Sequence, residues 1–248
     1  MKLAGDVAIL RLDNGKANAI DRALLDKLER FLEDAGSVGA RALVLTGYDR
    51  YFSTGLALPS LIALERDEMA RFMARFADVM LKLYASSLPV VAAVNGHAIA
   101  GGCVLALMAD LRLMADDGFT IGLNEIQLGV GLPPCVIEPL RAAVPPACAR
   151  AIALGGGLFS PEEALALHLV DQLAPRAELE SSAVKQAQAM ADLPDLAFAQ
   201  VKAAIRRPVL EACARLATDE TERWLDTWFS DAARHRIIPI VGKLTRKG

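Results

Sequence analysis

The spacing of apolar residues changes period several times along this 248-residue chain. GDVAILRL (5–12) alternates with period two and predicts a strand, closed by the turn signal DNG at 13–15. In DRALLDKLERFLEDA (21–35) the period lengthens. Leu24, Leu25, Leu28, Phe31 and Leu32 then share one face of an amphipathic helix, with Asp21 as its N-cap. RALVLT (41–46) is a short buried strand, GYDRYFSTGLALPS (47–60) reads as a loop, and helical spacing resumes to about Ser87. PVVAAV (89–94) predicts another buried strand. The glycine-rich turn GHAIAGGC follows, then a helix through about Met108 and a strand at DLRLMA (110–115). IGLNEIQLGVGLPP (121–134) is too rich in Gly and Pro for a long regular element.

From Cys135 onward helical spacing dominates. SPEEALAL (160–167) opens a helix with Ser at the cap, Pro at the first position and Glu three residues after the cap. LVDQLA (169–174) reads as one last short strand. Beyond about residue 178 the pattern predicts three or four helices, with breaks at Pro194, Pro208 and Pro239. The first two-thirds alternate strand and helix and the last third is helical, which makes this an α/β chain.

Composition narrows the classes. Apolar residues at 54% and charged residues at 23% describe an ordinary globular protein with enough length for a large core. A net charge of −3 argues against a large footprint on nucleic acid or an anionic membrane. No run of about 18 apolar residues predicts a membrane span. The opening MKLAGDVAILRLDNG lacks the apolar core of a signal peptide. Cys103, Cys135, Cys148 and Cys213 show no CxxC spacing and read as reduced thiols of a cytoplasmic protein. The histidines are not paired at helical spacing, so no metal site is expected.

Three features carry candidate chemistry. In GHAIAGGC, Ala100, Gly101 and Gly102 leave the N–H groups of a helix start open to a ligand oxygen. Tight packing of helix on strand explains the same glycines equally well, and neither GxxxxGK[ST] nor GxGxxG is matched. FSTGLAL (52–58) is a second glycine loop, and together the two can offer two N–H donors to one oxygen, the geometry of an oxyanion hole. Glu125, among Leu123, Ile126 and Leu128, reads on local grounds first as a solvated loop acid. The alternative is a desolvated carboxylate with a raised pKa, suited to general-base work. His97 has no acid or Ser partner in sequence and reads as a packing residue, and Asp116 and Asp117 read as a solvated turn.

Taken in order, NGKANAI (14–20), FSTGLAL (52–58), AAVNGHAIAGGC (92–103), ADLRLMADD (109–117), IGLNEIQLGV (121–130) and LFSPEEALALHLVDQLAP (158–175) resemble the crotonase, or enoyl-CoA hydratase/isomerase, family. The likeness spans roughly residues 5–205. It implies a crotonase-like spiral of ββα units in residues 1–190, carrying the active site. Residues 191–248 are then a helical region that covers the acyl pocket and supports a homotrimer or a dimer of trimers. It further implies an acyl-CoA thioester as substrate in fatty acid β-oxidation, with no separate cofactor and no metal. The N–H groups of Leu56 and Gly101 would hold the thioester oxygen. Lys16 is the best candidate for the CoA phosphates, with Ala17, Ser53 and Gly55 as further CoA contacts and Arg22 and Arg50 weaker ones.

Two departures from the family pattern matter. Its AGAD is TGLA here, so Ala57 replaces an Asp and removes an expected anchor of the loop. Its hydratases carry two glutamates, one in a GGCE pattern; here that position is Val104, while Glu125 in LNEIQLG retains the other. Hydration asks a pair of carboxylates to hold water, deprotonate it and protonate C2, and Val does none of these. Moving a double bond from C3 to C2 needs one base, and an apolar Val104 in the acyl pocket helps exclude water. The resemblance therefore implies a Δ3,Δ2-enoyl-CoA isomerase with Glu125 as proton shuttle. An enoyl-CoA hydratase is the alternative, then a non-catalytic acyl-CoA-binding protein. Glu138 reads as structural.

Overall fold

The structure is a computed structural model that describes residues 1–15 and 17–246. Strands β1 (Lys2–Ala4) and β2 (Val7–Arg11) form an antiparallel hairpin. Helix α1 (Arg22–Ser37) follows, capped by the Asp21 carboxylate, which accepts the Leu24 N–H at 2.9 Å. Two-strand units then repeat. The first is β3 (Ala42–Thr46) and β4 (Tyr51–Ser53), followed by α2 (Leu58–Leu61) and α3 (Arg66–Tyr84). The second is β5 (Val90–Val94) and β6 (His97–Ile99), followed by α4 (Gly101–Leu107). The third is β7 (Leu111–Ala115) and β8 (Ile121–Gly122), followed by a 3-10 turn at Glu125–Leu128 and α5 (Pro134–Ala143).

In each unit the first strand joins one sheet and the second strand another. The large sheet runs β1-β2-β3-β5-β7-β9, with β9 at Gln172–Ala174, and is parallel beyond its first pair. The small sheet is β4-β6-β8, all parallel. Strands β3 and β5 are buried along their whole length, which is why their sequences, apart from Thr46, are continuously apolar rather than alternating. This is the expected spiral of ββα units.

Helices α6 (Pro146–Gly155) and α7 (Pro161–Ala166) precede β9, and the Ser160 capping box predicted for α7 is formed. Helix α8 (Leu179–Ala191) buries Ala183, Ala187 and Ala191, small side chains that let it lie close on β3 and β5. The tail consists of α9 (Asp195–Trp228) and α10 (Asp231–Thr245).

Five expectations change. The loops read at 47–60 and after Val94 contain β4 and β6, three-residue strands too short to show a period. The last strand covers only the end of LVDQLA. Pro194 precedes α9 as expected, but Pro208 and Pro239 lie inside α9 and α10 instead of ending them. A proline removes one helical hydrogen bond; around Pro208 the flanking Lys202, Arg206, Val209 and Cys213 are all buried, so tertiary anchoring on both sides carries the helix through.

Candidate active site

The three strands of the small sheet point the same way and end together. Ser53 pairs with Ala98, and Ile99 with Gly122, so the chain leaving each strand emerges at one edge. Gly55 and Leu56 follow β4, Gly101 follows β6 and Glu125 follows β8. The fold thus brings to one edge three segments that lie far apart in sequence.

The two glycine loops are in close contact. Gly55 has φ +80°, and a Cβ built on it would lie 2.8 Å from the Gly101 nitrogen. A Cβ on Gly101 would lie 3.6 Å from the Leu56 nitrogen, and one on Gly102 would sit 2.0 Å from the Ser53 carbonyl oxygen. The distances at Gly55 and Gly102 leave no room for a Cβ, and at Gly101 the fit is tight, with Ile20 Cδ1 at 3.1 Å and Gly55 Cα at 3.2 Å. Ala100, with φ 52° and ψ −120°, turns the chain into α4 and donates its N–H to Gly122 O at 2.8 Å. This backbone region is unfavourable for a residue with a Cβ, and such strain concentrates at functional sites.

The Leu56 and Gly101 nitrogens lie where the two loops touch. The Ile20 N–H donates to Gly55 O at 2.7 Å and the Ala57 N–H to Ile20 O at 3.0 Å. That parallel bridge uses the groups on either side of Leu56 and turns the Leu56 N–H away from Ile20. Gly101 is the first residue of α4, where the helix itself offers the N–H no acceptor.

The support that Ala57 cannot give comes from Asn18. It is fully buried with φ 50°, a conformation Asn tolerates better than most residues. Its Nδ2 donates to Phe52 O at 3.1 Å, its Oδ1 accepts the Asn14 N–H at 2.9 Å, and its carbonyl accepts the Ser53 hydroxyl at 2.7 Å. Ser53 Oγ in turn accepts the Gly55 N–H at 3.3 Å, and Ala17 O accepts the Thr54 N–H at 3.1 Å. Ser53 and Ala17 are therefore engaged in holding the loop. Arg50 lies at the far end of the small sheet, its guanidinium 5.7 Å from the Phe119 ring centre. Lys16 lies outside the described residues.

Glu125 opens the 3-10 turn. Gly129, left-handed at φ 79°, closes the turn, and the Val130 N–H folds back on Glu125 O at 3.0 Å. Gln127 Nε2 ties it to Gly156 O at 2.7 Å. Glu125 Oε2 is buried and has no hydrogen-bond partner among the described residues, and the same is true of Asn124 Oδ1. Burial pushes the Glu125 carboxyl up to about 7, a rise its own backbone N–H partly offsets. The Cys103 thiol, on α4, is pushed up by its own burial first and by the Glu125 charge second. The next residue along α4 is Val104, 1% exposed.

Other candidates have structural roles. His97 Nδ1 accepts the Thr120 N–H at 3.1 Å, and its ring meets Phe119 edge to face. Burial and the nearby Arg50 charge lower its pKa. Glu138 pairs with Arg141 at 3.2 Å on α5.

The tail closes over this edge, which periodicity did not reveal. Gly131 N–H donates to Thr227 Oγ1 at 2.9 Å, and Arg234 Nη1 donates to Ile62 O at 2.6 Å, next to α2. Trp224 and Trp228 stack with ring centres 5.5 Å apart, and Trp224 helps wall an apolar cavity of about 50 Å³ with Met73, Ala77, Pro134 and Ala217. No described helix is long and apolar enough to cross a membrane.

Two sheets wound from ββα units, parallel apart from the opening hairpin, with backbone donors and an acid at the end of the smaller one, define a crotonase-fold protein. The chain belongs to the enoyl-CoA hydratase/isomerase family, whose pattern it matches over residues 3–235. It is 33% identical over 205 residues to human mitochondrial enoyl-CoA delta isomerase 1, covering 81% of this chain and 68% of the relative. To the carnitinyl-CoA dehydratase of Escherichia coli K12 it is 32% identical over 214 residues, 84% of this chain and 81% of the relative. The crystal structure of human mitochondrial delta3-delta2-enoyl-CoA isomerase superposes with a TM-score of 0.90 at 30% identity, covering 98% of this chain and 95% of that one.

Proposed function

We propose that this chain is a Δ3,Δ2-enoyl-CoA isomerase in which Glu125 carries the proton. The thioester oxygen of a 3-enoyl-CoA accepts hydrogen bonds from Leu56 N–H and Gly101 N–H. The Glu125 carboxylate removes a proton from C2, and the electron pair moves through the carbonyl onto that oxygen, giving a dienolate. The two donors strengthen as this charge forms, an effect worth about 10²–10³-fold per donor. Glu125, now protonated, returns the proton to C4, and the double bond comes to rest between C2 and C3. Atoms and charge balance without water or any second reactant.

The observation that carries this reading is the buried, unpartnered Glu125 Oε2 with its pKa near 7. A general base works best when its pKa lies close to the operating pH, because it then both takes and returns the proton readily. Val104 stands where a hydratase of this family has its second acid, and it neither orients water nor protonates carbon. Coenzyme A is held as part of the substrate, and by family resemblance Lys16 is the candidate for its phosphates. Residues 1–190 supply the chemistry, and 191–248 cover the acyl side and assemble the chain into a trimer.

The test is a paired assay on one preparation: isomerisation of a 3-enoyl-CoA and hydration of the matching 2-enoyl-CoA. Isomerisation well above hydration is expected. Strong hydration without isomerisation would sink the proposal.

A further inference from the structure

We infer that Arg206, on the tail helix and remote from the reacting atoms, is a positioning residue for the Gly101 oxyanion donor, acting through α4. The inference rests on the proposed oxyanion role of Gly101. Arg206 is buried, and its Nη1 donates both to Tyr84 O, at the end of α3, and to Met108 O, just past the end of α4, the latter at 2.9 Å. Its Nη2 donates to Asp110 Oδ1 at 2.5 Å, and the guanidinium carbon lies 3.9 Å from the centre of the Tyr84 ring. Lys202, one turn earlier, donates to Asp110 Oδ2 at 2.6 Å and to Leu88 O at 2.7 Å. Asp110 Oδ2 also accepts the Val90 N–H at 2.8 Å. One carboxylate and two cations thus join the ends of α3 and α4, the start of β5, and α9.

This cluster fixes α4 lengthwise. The helix has seven residues, all buried, and is about 10 Å long. At its front end the Gly102 backbone is pressed against Ser53 O, so α4 cannot advance further toward β4. Contact of that kind only resists approach; it does not prevent retreat. Retreat is resisted at the other end, where a rigid guanidinium fork is bonded to Met108 O and to Asp110, two residues beyond. An oxyanion donor acts within a narrow range of about 2.7–3.1 Å from the oxygen. A slip of α4 along its axis carries the Gly101 N–H out of that range without touching the CoA contacts.

The signature of a positioning role is a weaker pull on the thioester carbonyl, which loss of stability alone does not produce. The measurement is the C=O stretching frequency of a bound acyl-CoA labelled with ¹³C at the carbonyl, taken with kcat, KM and melting temperature for wild type, Arg206→Ala and Arg206→Lys. In the wild type the frequency falls on binding. In Arg206→Ala part of that fall is lost and kcat drops about 10- to 100-fold, the cost of misplacing a catalytic group by roughly 1 Å, while KM changes little. Arg206→Lys keeps the charge but not the fork, and gives intermediate values; it decides the matter if the Ala variant does not fold. Folded variants with the wild-type frequency shift overturn the inference, whatever their melting temperatures. A wild type that shows no shift overturns the oxyanion reading itself, and the inference with it.

Discussion

Around Gly55 and Gly101 the side-chain polar groups are spent on bonds within the chain and only backbone N–H groups are left for a ligand, whereas around Glu125 two buried side-chain oxygens have no partner among the described residues. The oxyanion loops are held by Asn18, Ser53 and Ala17 through bonds within the chain, and by contacts that only glycine allows. The Glu125 turn is fixed just as firmly in its backbone, yet Glu125 Oε2 and Asn124 Oδ1 bond to nothing described. The difference follows from the two tasks. Holding an oxygen asks only that two N–H groups stay still, which a backbone does well. Moving a proton asks for a carboxylate whose charged form is poorly stabilised, and that requires burial without compensation.

Glu125→Gln gives the largest contrast. It keeps the shape of the turn and removes the base, so isomerisation should fall by at least about 10²–10⁴-fold in a spectrophotometric assay, with the circular dichroism spectrum unchanged. Activity at the wild-type level would end the distinction between the two loops. Gly102→Ala acts on the other side. Its new Cβ would meet Ser53 O at 2.0 Å, so α4 must withdraw, and kcat is expected to fall about 10²–10³-fold, as for loss of an oxyanion donor. The melting temperature should fall as well.

Asn18→Ala tests whether the loops depend on internal bonding. It leaves Phe52 O and the Asn14 N–H unpaired, at a cost of about 1–3 kcal/mol in denaturant unfolding, with a smaller effect on kcat than Gly102→Ala.

The smallest effect concerns stability against pH. Glu125 is raised from 4.5 to about 7 in the folded state, so the folded protein keeps this proton longer than the unfolded chain does. Its contribution to stability is most favourable below about 4.5 and declines as pH rises to about 7. Glu125→Gln should therefore be more stable than wild type at pH 8, by on the order of 1 kcal/mol in thermal unfolding. Over the same range kcat should rise with pH, its midpoint near 7, as the carboxylate forms.

Much of the fold was legible because long elements announce their period. The helix after Asp21 and the buried strand PVVAAV appeared where their spacing put them. The small sheet was not legible, because three-residue strands have no measurable period, and it is this sheet that brings the site together. The glycines marked the loops but not their convergence, which depends on the parallel register of β4 with β6. Local sequence favoured a solvated Glu125 and the family resemblance a proton shuttle; only the packed structure shows Oε2 buried with no partner among the described residues. Asn18 lay within a motif that was noticed, yet its role needs the positive φ and three bonds to become visible. Pro208 misled because helix-breaking is a local rule, and buried Lys202 and Arg206 override it.

The most direct test of the central claim follows the proton itself. A 3-enoyl-CoA carrying deuterium at C2 is converted by the wild-type enzyme in ordinary water, and the 2-enoyl product is examined by NMR. Single-base transfer through Glu125 predicts deuterium at C4, with no such product from Glu125→Gln on the same timescale. Product carrying only solvent hydrogen at C4, formed equally fast by Glu125→Gln, would contradict the account.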